Sequence, residues 1–241
     1  MNTRARVNGS VVAAALLIAS VTVAGCAATR GRRGEPEESG FLRNYSQLQE
    51  NPNYPAALVY VRPGVTWSRY NAVQLDSAGL WVGAGTKISD EDQQSLTDTL
   101  YTSLYRELAK YFTLATQPGP NTVRLRVALT QAKGAKVGLR TVTTVVPQMR
   151  LLGGVVGLVG DTATMVGSAT VEMEALDSIT NQRLAAAVDE RAGTKALFAK
   201  RAYTTWGDVE AACDYWAKRL AWQLARHGMQ RKPGVAMPEE P

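Results

Sequence analysis

Apolar and polar residues alternate along several short stretches of the chain, a pattern that predicts half-buried β-strands. The clearest begins at Val123, where every second residue as far as Leu129 is a branched apolar one. Residues 171–175 alternate in the same way, and after a turn-forming sequence an apolar run returns over residues 184–188, which predicts a hairpin. Two further strands are predicted from the runs at 57–61 and 70–75.

Two longer stretches have the periodicity of amphipathic helices. Leucine recurs at every fourth residue from Leu96 to Leu108, and Ser89, followed by three acidic residues, is a favourable N-cap for that helix. A second apolar stripe passes through Trp216 in the stretch 208–226, and a glycine follows it. Together with the strands, these helices predict an α+β fold, in which a mostly antiparallel sheet carries two long amphipathic helices on one face.

The N-terminus has the three parts of a secretion signal. Arg4 and Arg6 give it a positive start, and the apolar run from Val11 to Val23 is too short to remain as a membrane-spanning helix. The end of this run resembles the lipobox of bacterial lipoproteins, in which signal-peptidase recognition residues precede an acceptor cysteine: Val23, Ala24, Gly25 and Cys26. We therefore expect cleavage before Cys26 and acylation of that cysteine. Because Ala27 and not an aspartate follows, the resemblance implies an anchor in the outer membrane of the cell envelope.

Composition divides the precursor into four segments: a signal peptide (1–25), a lipidated cysteine with a flexible tether (26–40), a single globular α+β domain (41–230) and a disordered tail (231–241). The tether is small, charged and without apolar periodicity, so it cannot bury a core. Loss of the two signal-peptide arginines lowers the formal net charge from +6 to +4 (6 − 2). This mild charge, without clustered basic and aromatic residues, argues against a nucleic-acid partner.

Ordered motifs over residues 39 to about 225 resemble the domain-of-unknown-function family 3313, a family of bacterial lipoproteins. The matching motifs are SGFL at 39–42, YSQL at 45–48, the strand at 70–76, PGPNTVRLR at 118–126, VEMEALDS at 171–178, WGD at 206–208 and YWA at 215–217. The hairpin turn departs from the family pattern in carrying Asn181 where glycine is usual, although asparagine also tolerates the left-handed conformation. The resemblance implies an envelope lipoprotein and assigns no catalytic residue.

Side chains suited to catalysis are few. The single histidine, His227, stands at the end of the second helix and is expected to cap it rather than react. Cys213 lies on the buried stripe of that helix, and Glu172 and Glu174 share one strand face that we expect to be solvated rather than an acid–base pair. The glycines of 153–160 lack the lysine of a phosphate loop. We predict no catalytic residues, no metal site, no cofactor and no enzymatic activity.

The stretch 145–166 is apolar and rich in glycine, with only two charged residues. It is interpreted either as a buried connection or as an exposed contact flap for a lipid or protein, since large exposed apolar patches mark interaction sites. The candidate contact residues are Leu151, Leu152, Val155, Val156, Leu158 and Val159. The sequence therefore favours a non-enzymatic assembly, accessory or scaffold protein, held to the membrane by its lipid and contacting an envelope protein. The alternative is a small-ligand or lipid carrier, with this stretch as a flap over a pocket.

Overall fold

Two long helices lie against one face of a β-sheet in the computed structural model, which describes residues 29–31, 38–51, 54–81, 88–133, 168–193 and 206–241. The described residues form nine strands, two α-helices and a short 3-10 helix at Trp67–Arg69. The strands are β1 (Thr29–Gly31), β2 (Gln49–Asn51), β3 (Tyr54–Val61), β4 (Ala72–Leu75), β5 (Gly79–Leu80), β6 (Thr113–Leu114), β7 (Thr122–Lys133), β8 (Ser168–Asp177) and β9 (Arg183–Gly193). The helices are α1 (Asp90–Tyr111) and α2 (Gly207–Arg226). The predicted α+β fold is therefore confirmed.

The sheet is mixed, and the prediction that it is mostly antiparallel was wrong. Its order is β2-β3-β9-β8-β7-β4-β6, with β1 beside β9 and β5 beside β7. The pairs that involve β1, β2, β3, β8 and β9 are antiparallel, whereas β4 runs parallel to both β6 and β7, and β5 runs parallel to β7. The cause is α1, which crosses over the sheet between β5 and β7 and so returns the chain in the same direction. Alternation of side chains reports which face is buried and carries no information on strand direction.

Helix α1 begins and packs as its sequence predicts. The Ser89 side chain caps it by accepting a hydrogen bond from the backbone N–H of Asp92 at 3.1 Å, and three acidic residues occupy its first turn. Its leucine stripe is buried against the sheet and α2: Leu96, Leu100, Leu104 and Leu108. On the solvent side of the two helices, Asp214 of α2 accepts hydrogen bonds from Ser103 at 2.7 Å and Arg106 at 3.0 Å.

The main core fills the space between the helices and the sheet. From β7 it contains the four alternating residues Val123, Leu125, Val127 and Leu129. From α2 it contains Cys213 and Trp216, both buried. The indole Nε1–H of Trp216 donates to Asp189 Oδ2 of β9 at 2.7 Å, so this bond fixes α2 against the sheet at a buried position. The prediction that Cys213 is a core residue is confirmed.

The opposite face of the sheet is covered by the chain's own residues 38–48. A second cluster on this face joins Leu42 to Ala186 and Val188 of β9. Partly buried aromatic and aliphatic residues complete the cluster: Phe41, Tyr45, Leu48, Leu58 and Tyr60. Strand β9 is consequently packed on both faces, between α2 and this N-terminal segment.

The tight turn of the β8–β9 hairpin uses asparagine where a glycine is common. Asn181 has a φ of 56°, in the left-handed region that asparagine tolerates better than other non-glycine residues. The turn closes with Asp177 N–H donating to Gln182 O at 2.9 Å. Asp177 also accepts hydrogen bonds from the backbone N–H groups of Ile179 and Thr180. Asparagine in place of glycine at residue 181 is therefore compatible with the hairpin.

The segments predicted as tether and tail make defined contacts where they are described. Residues 29–31 pair with β9. In the segment 231–241, for which we predicted a disordered tail, the Lys232 ammonium donates to Ala109 O at 2.6 Å and Glu240 pairs with Arg219 at 2.8 Å. None of the described helices is both long and apolar enough to cross a membrane. The predicted signal peptide, Cys26 and the stretch 145–166 lie outside the described residues.

Replacing Trp216 by alanine is expected to destabilise the fold by about 3–5 kcal/mol, because it removes a large side chain that is 1% exposed and leaves a cavity. This is a large part of the roughly 5–15 kcal/mol that stabilises a typical domain. Urea unfolding measures the loss. Trp81→Ala serves as the control, since Trp81 is 52% exposed and its removal should cost much less. Equal losses in the two variants would contradict the core position of Trp216.

Candidate functional site

A pocket lies between the sheet and the C-terminal half of α2, where β8 and β9 present small side chains to the helix. Ala175, Ala185 and Ala187 form part of its lining. Alanine extends one carbon from the backbone, so these positions leave open the space that larger side chains fill elsewhere. Ala185 and Ala187 stay half-exposed, although Ala186 between them is buried on the opposite face. The pocket thus follows from the placement of small residues on one face of the hairpin.

The pocket has a volume of about 590 Å³ and is lined mainly by apolar groups. Aromatic side chains close it at several points: Trp67, Trp216 and Trp222. Aliphatic residues from β3 and β8 form the facing wall: Val59, Val61 and Met173. Pockets that bind small molecules typically measure about 300–1,000 Å³ and combine an apolar lining with a few polar groups. Size and composition therefore suit a small apolar ligand.

The charged side chains that line the pocket are two arginines and three carboxylates: Arg219, Arg226, Glu174, Asp189 and Glu240. Arg219 and Arg226 both lie over the Trp222 ring, at 4.5 Å and 4.7 Å from its centre, so the indole holds both guanidinium groups at the pocket. Glu240, from the chain's last residues, accepts a hydrogen bond from Arg219 Nη1 at 2.8 Å. On the sheet side, the buried carboxylate of Asp189 lines the same pocket and receives the Trp216 indole.

His227 lines the pocket from the C-terminal end of α2, where it is the C-cap residue and its backbone N–H donates to Gln223 O and Ala225 O. The imidazole stacks on Trp67 with ring centres 5.4 Å apart. Burial, and then the nearby charge of Arg226, lower the pKa of His227 below its usual 6.5. The imidazole is thus neutral at pH 7, and the arginines supply the positive charge. No side chain placed to orient His227 as a general base is found among the described residues that line the pocket.

Glu172 and Glu174 lie on the face covered by residues 38–48, and the prediction that they are solvated was wrong. They are 0% and 4% exposed. Glu174 forms ion pairs with Arg126 at 2.7 Å and Arg183 at 2.6 Å. Glu172 accepts hydrogen bonds from the Tyr45 hydroxyl at 2.6 Å and the Ser39 N–H at 3.3 Å. The two carboxylates are committed to holding the N-terminal segment and the sheet together, which explains why they are tolerated inside the protein.

Tyr45 is the centre of this arrangement, which we call the N-terminal clamp (residues 38–48 with Glu172). Its hydroxyl oxygen accepts hydrogen bonds from the backbone N–H groups of Gly40 at 2.9 Å and Leu42 at 3.2 Å. Burial, and then the hydrogen bond to Glu172, raise the pKa of Tyr45 above 10, so the phenol remains a donor. The signal in the sequence was the paired motif of residues 39–42 and 45–48, which marked the clamp without indicating its partner.

Of the two glutamates considered from the sequence, Glu174 also lines the pocket and Glu172 does not. Cys213 is buried in the main core and does not line it. Within the described ranges, no three His, Cys, Asp or Glu side chains are grouped so as to hold a metal ion. The proposed flap residues at 151–159 fall outside those ranges. The pocket residues Trp222, Arg219 and Glu240 were not singled out from the sequence, although Trp216 and His227 were.

The fold and the pocket define a class: an α+β domain with a ligand-sized apolar pocket between sheet and helix. The chain matches the family described as "Protein of unknown function (DUF3313)" over residues 37–220, and it belongs to that family. The resemblance identified from its motifs is thereby confirmed. No curated protein sequence matches the chain.

Solved structures of PelC dodecamers from Paraburkholderia phytofirmans are similar to part of the chain. One, of a PelC variant, has 14% sequence identity and a TM-score of 0.33, and the match covers 66% of this chain and 97% of that one. Another has 10% identity and a TM-score of 0.35, covering 66% and 96% of the two chains.

Removing the Tyr45 hydroxyl should weaken the N-terminal clamp. Tyr45→Phe leaves Glu172 buried without its closest donor, and we expect a loss of about 1–3 kcal/mol in the free energy of unfolding. Faster proteolytic cleavage within residues 38–48 should accompany it. Tyr105→Phe is the matched control, because Tyr105 is 49% exposed on α1. Should both variants unfold at the same urea concentration as the unmodified chain, the clamp does not stabilise the fold.

Proposed function

We propose that this protein is a non-enzymatic carrier of a small apolar ligand, anchored by lipid in the bacterial cell envelope. The observation that supports it is the apolar pocket of about 590 Å³ between α2 and the alanine positions of β8 and β9. The scarcity of suitable catalytic side chains in the sequence agrees with a binding role. The carrier was the alternative suggested by the sequence, and the pocket now gives it the stronger support.

An assembly or scaffold role, which the sequence favoured, needs a surface that a protein partner can use. The outermost strands of the described sheet are β2, with three residues, and β6, with two residues. Such short edges give few backbone groups for strand addition, a common way in which proteins prevent edge-to-edge pairing. An envelope protein that receives the ligand is compatible with the carrier role, and the scaffold role is the second candidate.

The membrane anchor is part of the same proposal and is supported by the lipobox-like sequence Val23-Ala24-Gly25-Cys26. Several acyl chains on one cysteine hold a protein durably at a membrane, whereas a single chain holds it marginally. Because residues 29–31 pair with β9 as β1, only residues 27 and 28 separate the proposed lipid anchor from the sheet. The pocket would then work close to the lipid surface from which an apolar ligand is taken. The outer membrane is the proposed address.

Anchoring is expected to depend on Cys26. Cys26→Ala removes the acylated thiol, so the precursor should accumulate unprocessed and incorporate no radiolabelled palmitate in growing cells. Cys213→Ala is the control, because it removes the other cysteine and should leave labelling unchanged. Equal palmitate incorporation in Cys26→Ala and the unmodified chain would end the lipoprotein proposal.

Filling the pocket should abolish ligand binding without unfolding the protein. Ala187→Leu places a larger side chain in the open space, and we expect native mass spectrometry of the full chain, released from nanodiscs, to lose a lipid-sized adduct carried by the unmodified chain. The matched control is Ala128→Leu, at a buried alanine of β7 that does not line the pocket. Overpacking there should cost about 1–3 kcal/mol in stability and leave the pocket open. An adduct that is absent from the unmodified chain, or that persists in Ala187→Leu, would overturn the carrier proposal.

A further inference from the structure

The carboxylate of Glu240, from the C-terminal segment, lies at the pocket. Glu240 lines the pocket and pairs with Arg219, with 2.8 Å between Oε1 and Nη1. The two partners differ in exposure: the Arg219 side chain is 15% exposed and that of Glu240 is 57% exposed. The Arg219 guanidinium is therefore mostly buried, whereas the Glu240 carboxylate that pairs with it is mostly in solvent. Exposed ion pairs of this kind contribute little free energy, so Glu240 can be displaced at small cost.

Arg219 is positioned for a carboxylate independently of Glu240. Its guanidinium lies over the face of the buried Trp222, 4.5 Å from the ring centre, and this stacking limits its rotation. A guanidinium is planar and presents several N–H donors in the geometry of a carboxylate, which makes it a better partner than an ammonium group. Arg226, stacked on the same ring, adds a second positive charge. The cationic position persists if Glu240 leaves.

The remainder of the pocket is suited to hydrocarbon. Met173, Val59 and Trp216 line it, and the alanine positions leave its volume unfilled. Besides Arg219, Arg226 and Glu240, four titratable side chains line the same space: Tyr60, Glu174, Asp189 and His227. Glu174 is already balanced by its ion pairs with Arg126 and Arg183. His227 is neutral at pH 7, and Asp189, bonded to Trp216 nearly one helical turn from Arg219, disfavours an anion on its own side. The electrostatics therefore orient an amphiphile with its anionic head at Arg219 and its chain among the apolar residues.

We propose that the pocket binds a single-chain anionic amphiphile, of the fatty-acid class, whose head displaces Glu240 from Arg219. This inference rests on the proposed carrier function and adds to it the charge of the ligand and the residue that competes with it. The same chemistry, one acyl chain and one anionic head, is also offered by a lysophospholipid with a phosphate head.

The test uses the full chain in phosphatidylcholine nanodiscs and two probes: dansyl-labelled undecanoic acid and its uncharged methyl ester. Energy transfer from the pocket tryptophans to the dansyl group reports binding, and Ala187→Leu supplies the background from probe in the lipid.

Glu240→Gln should bind the acid about two- to fivefold more tightly than the unmodified chain does, as expected for loss of an exposed competing pair. Its affinity for the ester should be unchanged. Glu239→Gln is the matched control and should behave like the unmodified chain. Arg219→Gln should lower the affinity for the acid to that for the ester, and Arg219→Lys should restore part of the preference.

Competition separates the two sources of the head group. Unlabelled palmitate should displace the acid probe at lower concentration than lysophosphatidic acid does, and the reverse order would overturn the fatty-acid assignment. If Glu240→Gln binds both probes as the unmodified chain does, the displacement by an anionic head is wrong while the carrier function stands. If neither probe transfers energy above the Ala187→Leu background, the carrier function itself is refuted.

Discussion

Burial of both faces of the β8–β9 hairpin is the constraint on which the rest of the structure depends. One face receives α1 and α2, and the other receives residues 38–48. A strand packed on both sides cannot leave its polar groups in water, so each must find a partner inside the protein. Glu172 is matched by Tyr45, Glu174 by two arginines, and Asp189 by the Trp216 indole. Covering the second face thus creates the requirement that the N-terminal clamp satisfies.

The pocket follows from the same constraint. Large side chains on both faces of β9 would push α2 and the N-terminal segment away from the sheet. Ala185 and Ala187 instead leave space between the sheet and α2. The space they leave is closed by aromatic rings of α2 and of the 3-10 helix, and the C-terminal residues bring Glu240 to Arg219. The packing of the sheet against α2 and the proposed binding role therefore have the same structural cause. The residues that fit the layers together also shape the cavity.

Features of the fold that depend on residues close together in the sequence could be predicted, and features that depend on distant contacts could not. The leucine repeat, the Ser89 cap and the turn at Asn181 act within a few residues, and the helices and hairpin they predict are present. Strand direction depends on the crossover through α1, which side-chain alternation does not encode. Glu172 and Glu174 resembled a solvated face because their partners Tyr45 and Arg126 lie far away in the sequence. The pocket joins residues from β2 to the C-terminal segment, so no single stretch of sequence predicted it.

The N-terminal clamp also has a mechanical consequence. A pull on residue 38, directed away from the sheet, is carried first by Ser39 N–H and the Tyr45 hydroxyl on Glu172, and through Glu172 by the interior strand β8. Because β8 is paired on both sides, by β7 and β9, the load spreads across antiparallel strands instead of peeling one edge. In a body held by its N-terminus to a moving surface, tension would reach β9 first, through its pairing with residues 29–31, and the clamp would carry the load once that pairing had opened.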